Sequence, residues 1–91
     1  MEKKLTEQNS RHARLRAKER YNLDFSLKDL GRIIFMIRSG QSTIKLINNI
    51  GEYRQVHSLK YMDHKIYPVY DEKSGLIVTF YSQKIINELE K

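Results

Sequence analysis

The chain has 91 residues, no cysteine, and 17 lysines and arginines against 11 aspartates and glutamates, which gives a formal net charge of +6. This length predicts one domain with a single helix layer on a small sheet, and the positive charge favours acidic partners such as nucleic acid. The lack of cysteine excludes disulfides and thiolate metal sites. No apolar run reaches the roughly 20 residues that span a bilayer. The first residues also lack the apolar core of a secretion signal, so we expect a cytoplasmic protein without a membrane partner.

The first predicted element is a helix that ends near Tyr21. We expect residues 1–8 to form a flexible N-terminus and residues 9–91 to form a single α+β domain. Asn9 or Ser10 would cap the start of the helix, because both side chains accept hydrogen bonds from helical N–H groups.

Two rows of side chains run along this helix at four-residue spacing. The first is a thin apolar stripe formed by Ala13, Ala17 and Tyr21. The second row is basic, lies about a quarter-turn away, and consists of His12, Arg16 and Arg20. The alanines would pack on the sheet, so the basic row would lie at the edge of that contact.

A second helix is predicted after Ser26, which is a natural N-cap. Asp29 occupies the third helical position and would complete a capping box. Gly40 follows where a C-terminal glycine is expected. One face carries the aliphatic residues that would cover the sheet, namely Leu27, Leu30, Ile33, Ile34 and Ile37.

The rest of the chain predicts strands and a last helix. Residues 42–47 would form a short edge strand, and residues 48–51 a turn. Residues 53–82 contain three runs rich in β-branched and aromatic residues, separated by two polar turns, as in an antiparallel meander. Residues 83–91 suit a short helix. We therefore predict two N-terminal helices on one face of a three- or four-stranded antiparallel sheet, with a short C-terminal helix.

The last strand alternates, which predicts its two faces. One face would carry Leu76, Val78 and Phe80, and the other Ile77, Thr79 and Tyr81. We expect the basic row of the first helix to lie over the side that carries Thr79 and Tyr81.

The polar residues favour chemistry without metal or cofactor. None of the three histidines has a second ligand at a metal-binding spacing, and no glycine loop is suited to phosphate. Cleavage of RNA without metal needs a general acid or base, cations and hydroxyls, because the 2′-OH is itself the nucleophile. The candidates are His12, Arg16, Arg20 and Thr79. Each also has a structural interpretation, as a surface helix residue or a strand former.

A second set of residues is suited to nucleic-acid binding alone. Lysines and arginines would contact phosphates, and a tyrosine ring could stack on a base. This set consists of Arg11, Arg14, Lys18, Arg54, Lys60 and Tyr81.

The segments RHARLRAKERYNLDFSLKDL and YMDHKIYPVYDEKSGLIVTFY resemble a group of small phage and bacterial proteins. That group has a helix with His-Ala-x-x-Arg and a downstream Glu-Arg-Tyr, a second helix, a Val-Tyr-Asp turn and an Ile-Val-Thr strand. Its layout is similar to that of RelE-like, BrnT-like and barnase-like ribonucleases, which act without metal. The resemblance covers about residues 11–82 and implies catalytic roles for His12, for Arg16 or Arg20, and for Thr79.

Three functions stay open at this point. The first is a toxin-like, metal-independent endoribonuclease or RNA-binding protein, with an antitoxin as a protein partner. The second is a non-catalytic, phage-encoded counter-defence protein, similar to an anti-CRISPR, that binds nucleic acid or a host nucleoprotein through its basic helix. The third is a structural or dimerising protein whose charge serves solubility. The sequence predicts no oligomeric state.

Overall fold

A computed structural model of the chain describes residues 4–46 and 51–90. The four strands form one antiparallel sheet in the order β1-β2-β3-β4. The α+β fold is confirmed, with two N-terminal helices, the sheet and a short C-terminal helix. The elements are α1 (Glu7–Tyr21), α2 (Leu27–Arg38), β1 (Thr43–Leu46), β2 (Arg54–Tyr61), β3 (His64–Asp71), β4 (Leu76–Tyr81) and α3 (Gln83–Leu89).

The start of α1 differs from the prediction. Thr6, rather than Asn9 or Ser10, is the N-cap. Its hydroxyl accepts a hydrogen bond from the backbone N–H of Asn9, and the Asn9 side chain accepts one from the backbone N–H of Thr6 at 2.8 Å. This reciprocal pair satisfies two N–H groups at once, so the helix begins at Glu7. Residues 1–3, within the segment predicted to be flexible, lie outside the described residues.

The start of α2 is confirmed and is also tied to the sheet. Ser26 and Asp29 form a capping box. The Asp29 carboxylate accepts a further hydrogen bond of 2.7 Å from the hydroxyl of Tyr61, at the end of β2. The hydrogen bonds from the Ser26 backbone and from Tyr61 lower the pKa of Asp29. Four of the five predicted aliphatics are buried, namely Leu30, Ile33, Ile34 and Ile37.

The sheet carries a hydrophobic cluster on each face. On one face, residues of β2, β3 and β4 pack against α1 and α2, with Ala13, Ala17, Ile66, Tyr70, Ile77 and Phe80 among the buried members. On the other face, the buried members are Val56, Tyr67, Val69 and Ile86, the last from α3. The apolar stripe of α1 thus packs on the sheet as predicted.

The simple alternation predicted for β4 is wrong. Val69 pairs with Thr79, but the next residue of β3 pairs with Ile77, so Val78 is an extra residue in β4. The bulge places Ile77 on the same face as Phe80, against the helices. Val78 packs instead against the cluster on the α3 side.

Hydrogen bonds link the side chains around His57, which lies on β2 and is 4% exposed. Ser42 Oγ lies 2.7 Å from its Nδ1, and Gln55 Oε1 lies 2.8 Å from its Nε2. The Gln55 amide nitrogen donates to Glu72, so its oxygen faces the ring as an acceptor. These partners assign the proton to Nε2, while Nδ1 accepts from the Ser42 hydroxyl. A neutral imidazole therefore joins the loop before β1 to the sheet.

The folding stability should depend on the protonation of His57. Burial lowers its pKa below the ordinary value of 6.5, and the nearby Glu72 carboxylate opposes this only in part. Below about pH 6.5 the imidazole of the unfolded chain takes up a proton, whereas that of the folded chain stays neutral to a lower pH. The folding stability is therefore complete above pH 6.5 and decreases as the pH falls below it. A difference of one pH unit between the folded and unfolded pKa values corresponds to about 1.4 kcal/mol.

We expect the free energy of urea unfolding to decrease between about pH 7 and pH 5, a window above the range in which Asp29 titrates. The His57→Gln variant, which keeps a polar side chain, should show a smaller decrease over the same window. An equal decrease in both proteins would show that His57 does not contribute.

Candidate nucleic-acid interface

An open groove with a volume of about 290 Å³ runs along α1. Its α1 residues follow the i, i+3, i+4, i+7 spacing of one helix face. The other wall comes from the link between α1 and α2. We call this the basic groove; it is lined by Arg11, Arg14, Leu15, Lys18, Asp24 and Phe25.

The three cations of the basic groove are only partly neutralised by the protein. Lys18 Nζ lies 3.2 Å from Asp24 Oδ2, and both side chains are exposed. Arg14 Nη2 forms a 2.6 Å ion pair with Glu7. Arg14 Nε is covered and finds no acceptor among the described residues. An exposed ion pair such as that of Lys18 with Asp24 contributes about 0–1 kcal/mol, so a phosphate oxygen can replace this carboxylate at little cost.

Arg11 completes the cation set. It is exposed, and it forms no ion pair with any residue in the described ranges 4–46 and 51–90. Its guanidinium therefore has its donors directed to solvent, where an anionic ligand can accept them.

Two apolar side chains lie between the charged ones. Leu15 lies on the same helix face as the cations, and its side chain is 52% exposed. Phe25 is buried, and its ring packs against Tyr61 and Phe80 with centroid distances of 5.7 and 5.4 Å. Phe25 is therefore a member of the hydrophobic core that also lines the groove, together with the exposed Leu15.

The row predicted to be catalytic lies on the other side of α1. Arg16 Nη1 forms a 2.6 Å ion pair with Glu19. Arg20 Nη1 donates a 2.5 Å hydrogen bond to the backbone oxygen of Phe80 on β4. Because β4 is the last strand of the sheet, this bond occupies an edge carbonyl. His12 is exposed and forms no hydrogen bond with another described residue.

The structure brings only part of this row to Thr79. Thr79 pairs with Val69 and therefore faces the α3 side of the sheet, whereas α1 packs on the side of Phe80. Arg20 reaches the residue next to Thr79 in the chain. No hydrogen bond within the described part of the chain joins His12 to Thr79. We expected α1 to lie over the side that carries Thr79 and Tyr81; this prediction is wrong, because α1 packs on the opposite side of the sheet.

The other predicted nucleic-acid contacts lie apart from the basic groove. Arg54 Nε is 3.7 Å from Asp71 Oδ2 and borders a second cavity of about 280 Å³. Lys60 is exposed on β2 and pairs in register with Lys65. Tyr81 is half-buried against the cluster on the α3 side. Of six predicted contacts, the structure therefore places three together, namely Arg11, Arg14 and Lys18.

Sequence reasoning missed three of the groove residues, Leu15, Asp24 and Phe25. The helical spacing of Leu15 from Arg11 and Lys18 was a usable signal. No comparable signal existed for Asp24 and Phe25, because the fold of the link, rather than a sequence period, brings them to α1.

Two further observations bear on the kind of site. Within the described part of the chain, no three histidine or acidic side chains lie close enough together to bind a metal ion. None of the helices in that part is long and apolar enough to cross a membrane.

Comparisons of the chain with protein-family models, curated proteins and solved structures find no match. The resemblance to RelE-like, BrnT-like and barnase-like ribonucleases therefore stays a prediction from the sequence.

Proposed function

We propose that the protein binds nucleic acid through the basic groove of α1. The observation that carries this proposal is the convergence of Arg11, Arg14 and Lys18 on one open recess that also contains apolar surface. Nucleic-acid backbones combine regularly spaced phosphates with apolar sugar and base surface, so a recess of this composition complements them.

The spacing of the cations supports a backbone ligand. Arg11 and Lys18 are seven residues apart, which corresponds to about 10 Å along a helix axis. A single strand advances by about 3.4 Å per nucleotide along its axis when its bases are stacked and by more when they are not, so this distance covers roughly two to three successive phosphates. Three cations can therefore contact neighbouring phosphates of one strand at the same time.

The proposal is tested by titrating the protein with a fluorescently labelled oligonucleotide and measuring anisotropy at low salt. We expect saturable binding. Polyglutamate serves as a control anion, because it offers carboxylates at a different spacing and no bases. It should compete weakly. No saturable binding at low salt, or equal competition by polyglutamate, would contradict the proposal.

RNA cleavage is a second candidate function, which the resemblance to metal-independent ribonucleases implies. Arg20 reaches the edge of the strand that carries Thr79, by its hydrogen bond to the Phe80 backbone oxygen, but Thr79 itself faces the opposite side of the sheet. If the protein is a ribonuclease, it should cleave RNA in the presence of EDTA, the His12→Ala variant should lose that cleavage, and expression should arrest growth. Undiminished cleavage by the variant would exclude His12 from the mechanism. Binding without cleavage by the wild type would leave the non-catalytic binder.

A further inference from the structure

The charges in the basic groove are divided between its two walls. Arg11, Arg14 and Lys18 line the α1 wall, whereas Asp24 lies on the wall formed by the link. A carboxylate accepts hydrogen bonds and repels phosphate. One wall is thus suited to a phosphate backbone, and the other is suited to a hydrogen-bond donor of the same ligand.

The charges and the size of the groove favour a single strand over a duplex. A duplex carries a second row of phosphates, and any phosphate that approached the link wall would be repelled by the Asp24 carboxylate. In a duplex one hydrogen of each exocyclic amino group is engaged in the base pair and the other is reached only through a groove, whereas in a single strand the whole base edge is accessible. The volume of about 290 Å³ and the half-exposed Leu15 suit one unstacked base lying on apolar surface.

Asp24 lines this space, and its side chain is 83% exposed. Its Oδ2 lies 3.2 Å from Lys18 Nζ, so a phosphate that binds Lys18 leaves the carboxylate free to accept a hydrogen bond from the same ligand. Cytosine carries an amino group where uracil and thymine carry a carbonyl oxygen, and adenine carries one where guanine carries a carbonyl oxygen. A carboxylate in this position can accept a hydrogen bond from the amino group but is repelled by the carbonyl oxygen.

We propose that the basic groove binds single-stranded nucleic acid, with phosphates on Arg11, Arg14 and Lys18 and a base over Leu15, and that Asp24 selects cytosine or adenine. This inference rests on the proposed function. It adds the form of the ligand, single-stranded rather than duplex, and a residue that determines specificity.

The test measures affinities for oligonucleotides of about ten nucleotides, a length within the usual site sizes of single-strand binders. The ligands are oligo(rC), oligo(rU), oligo(dC), oligo(dT) and a duplex of the same length. At neutral pH the wild type should bind each cytosine oligomer about tenfold more tightly than its uracil or thymine counterpart. It should bind the duplex more weakly than oligo(rC) and oligo(dC). Comparing the ribose and deoxyribose pairs shows whether the sugar also matters.

The Asp24→Ala variant tests whether the carboxylate determines the preference for cytosine over uracil or only repels nucleic acid in general. Loss of the carboxylate should tighten binding of oligo(rU), while the preference for cytosine over uracil should fall to about one. Glu88→Ala is the matched control, because it removes the same charge from an exposed position on α3. It should leave the preference unchanged.

The outcomes that contradict this inference differ from those that contradict the proposed function. Binding without base preference, a preference that persists in Asp24→Ala, or a duplex bound as tightly as the single strands would overturn the inference and leave nucleic-acid binding intact. No binding to any oligonucleotide would overturn both.

Discussion

Replacement of Arg11, Arg14 and Lys18 by glutamine is expected to weaken binding of single-stranded nucleic acid by about 100-fold at low salt. Each exposed charge-assisted contact is expected to contribute about 1 kcal/mol, so the loss of three amounts to about 3 kcal/mol. Glutamine is shorter than arginine and lysine, but it is polar and suits a helix, so α1 should remain folded. Fluorescence anisotropy gives the affinities, and circular dichroism verifies that the helix content is retained.

A control variant with the same charge separates a local site from a general electrostatic attraction. Replacement of Lys65, Lys73 and Lys84 by glutamine removes three positive charges outside the groove, so both variants lower the formal net charge of +6 by the same amount. This control should lose only a small part of the affinity. If the two variants bind equally weakly, the attraction is diffuse and the basic groove is not the site.

The Tyr21→Phe variant is expected to lose about 2–3 kcal/mol of unfolding free energy. The Tyr21 hydroxyl accepts a 2.9 Å hydrogen bond from the backbone N–H of Tyr67 and donates a 2.5 Å hydrogen bond to the backbone oxygen of Tyr81. Tyr67 and Tyr81 are register partners in β3 and β4, so the hydroxyl is interposed between two strands. Removing it leaves a buried donor and a buried acceptor without their partner.

The ionisation state of Tyr21 does not complicate this experiment. Burial raises the pKa of its hydroxyl far above its ordinary value, so the group remains a donor at every pH used for unfolding. The phenylalanine ring can keep the edge-to-face contact with Phe80, whose centroid lies 5.8 Å away. The variant therefore reports the hydroxyl alone.

Tyr53→Phe is the control, because it removes a hydroxyl from an exposed tyrosine. It should change the unfolding free energy by no more than about 0.5 kcal/mol. Urea unfolding of the three proteins measures these differences. A loss of less than about 0.5 kcal/mol in Tyr21→Phe would mean that β3 and β4 close and bond to each other directly.

Local signals were sufficient for α2 and for the β-meander. The Ser26 and Asp29 capping pair and the aliphatic face of α2 lie within one short segment, so no tertiary information was needed to predict them. The meander was predictable because turns separate its three β-rich runs.

The start of α1 was less certain from the sequence because several possible caps lie close together. Thr6, Asn9 and Ser10 can each accept a hydrogen bond from a helical N–H. Leu5, just before the true cap, packs against the core and favours the earlier start. Such a preference depends on tertiary contacts, which the local sequence does not encode in a readable pattern.

The bulge in β4 and the second wall of the groove depend on contacts between distant residues. Alternation along β4 could not reveal that Val78 is an extra residue, because the bulge is defined by the register with β3. Likewise, charge alone indicated Arg11, Arg14 and Lys18, but only the folded link places Asp24 beside them.

The salt dependence of binding tests the central claim, that the three cations of the basic groove contact phosphates. The slope of log K against log salt concentration should be less steep by about 2 in the groove variant than in the wild type, since each contact to a single strand contributes about 0.7. The variant lacking Lys65, Lys73 and Lys84 should keep the slope of the wild type. Equal slopes for the wild type and the groove variant would contradict the claim.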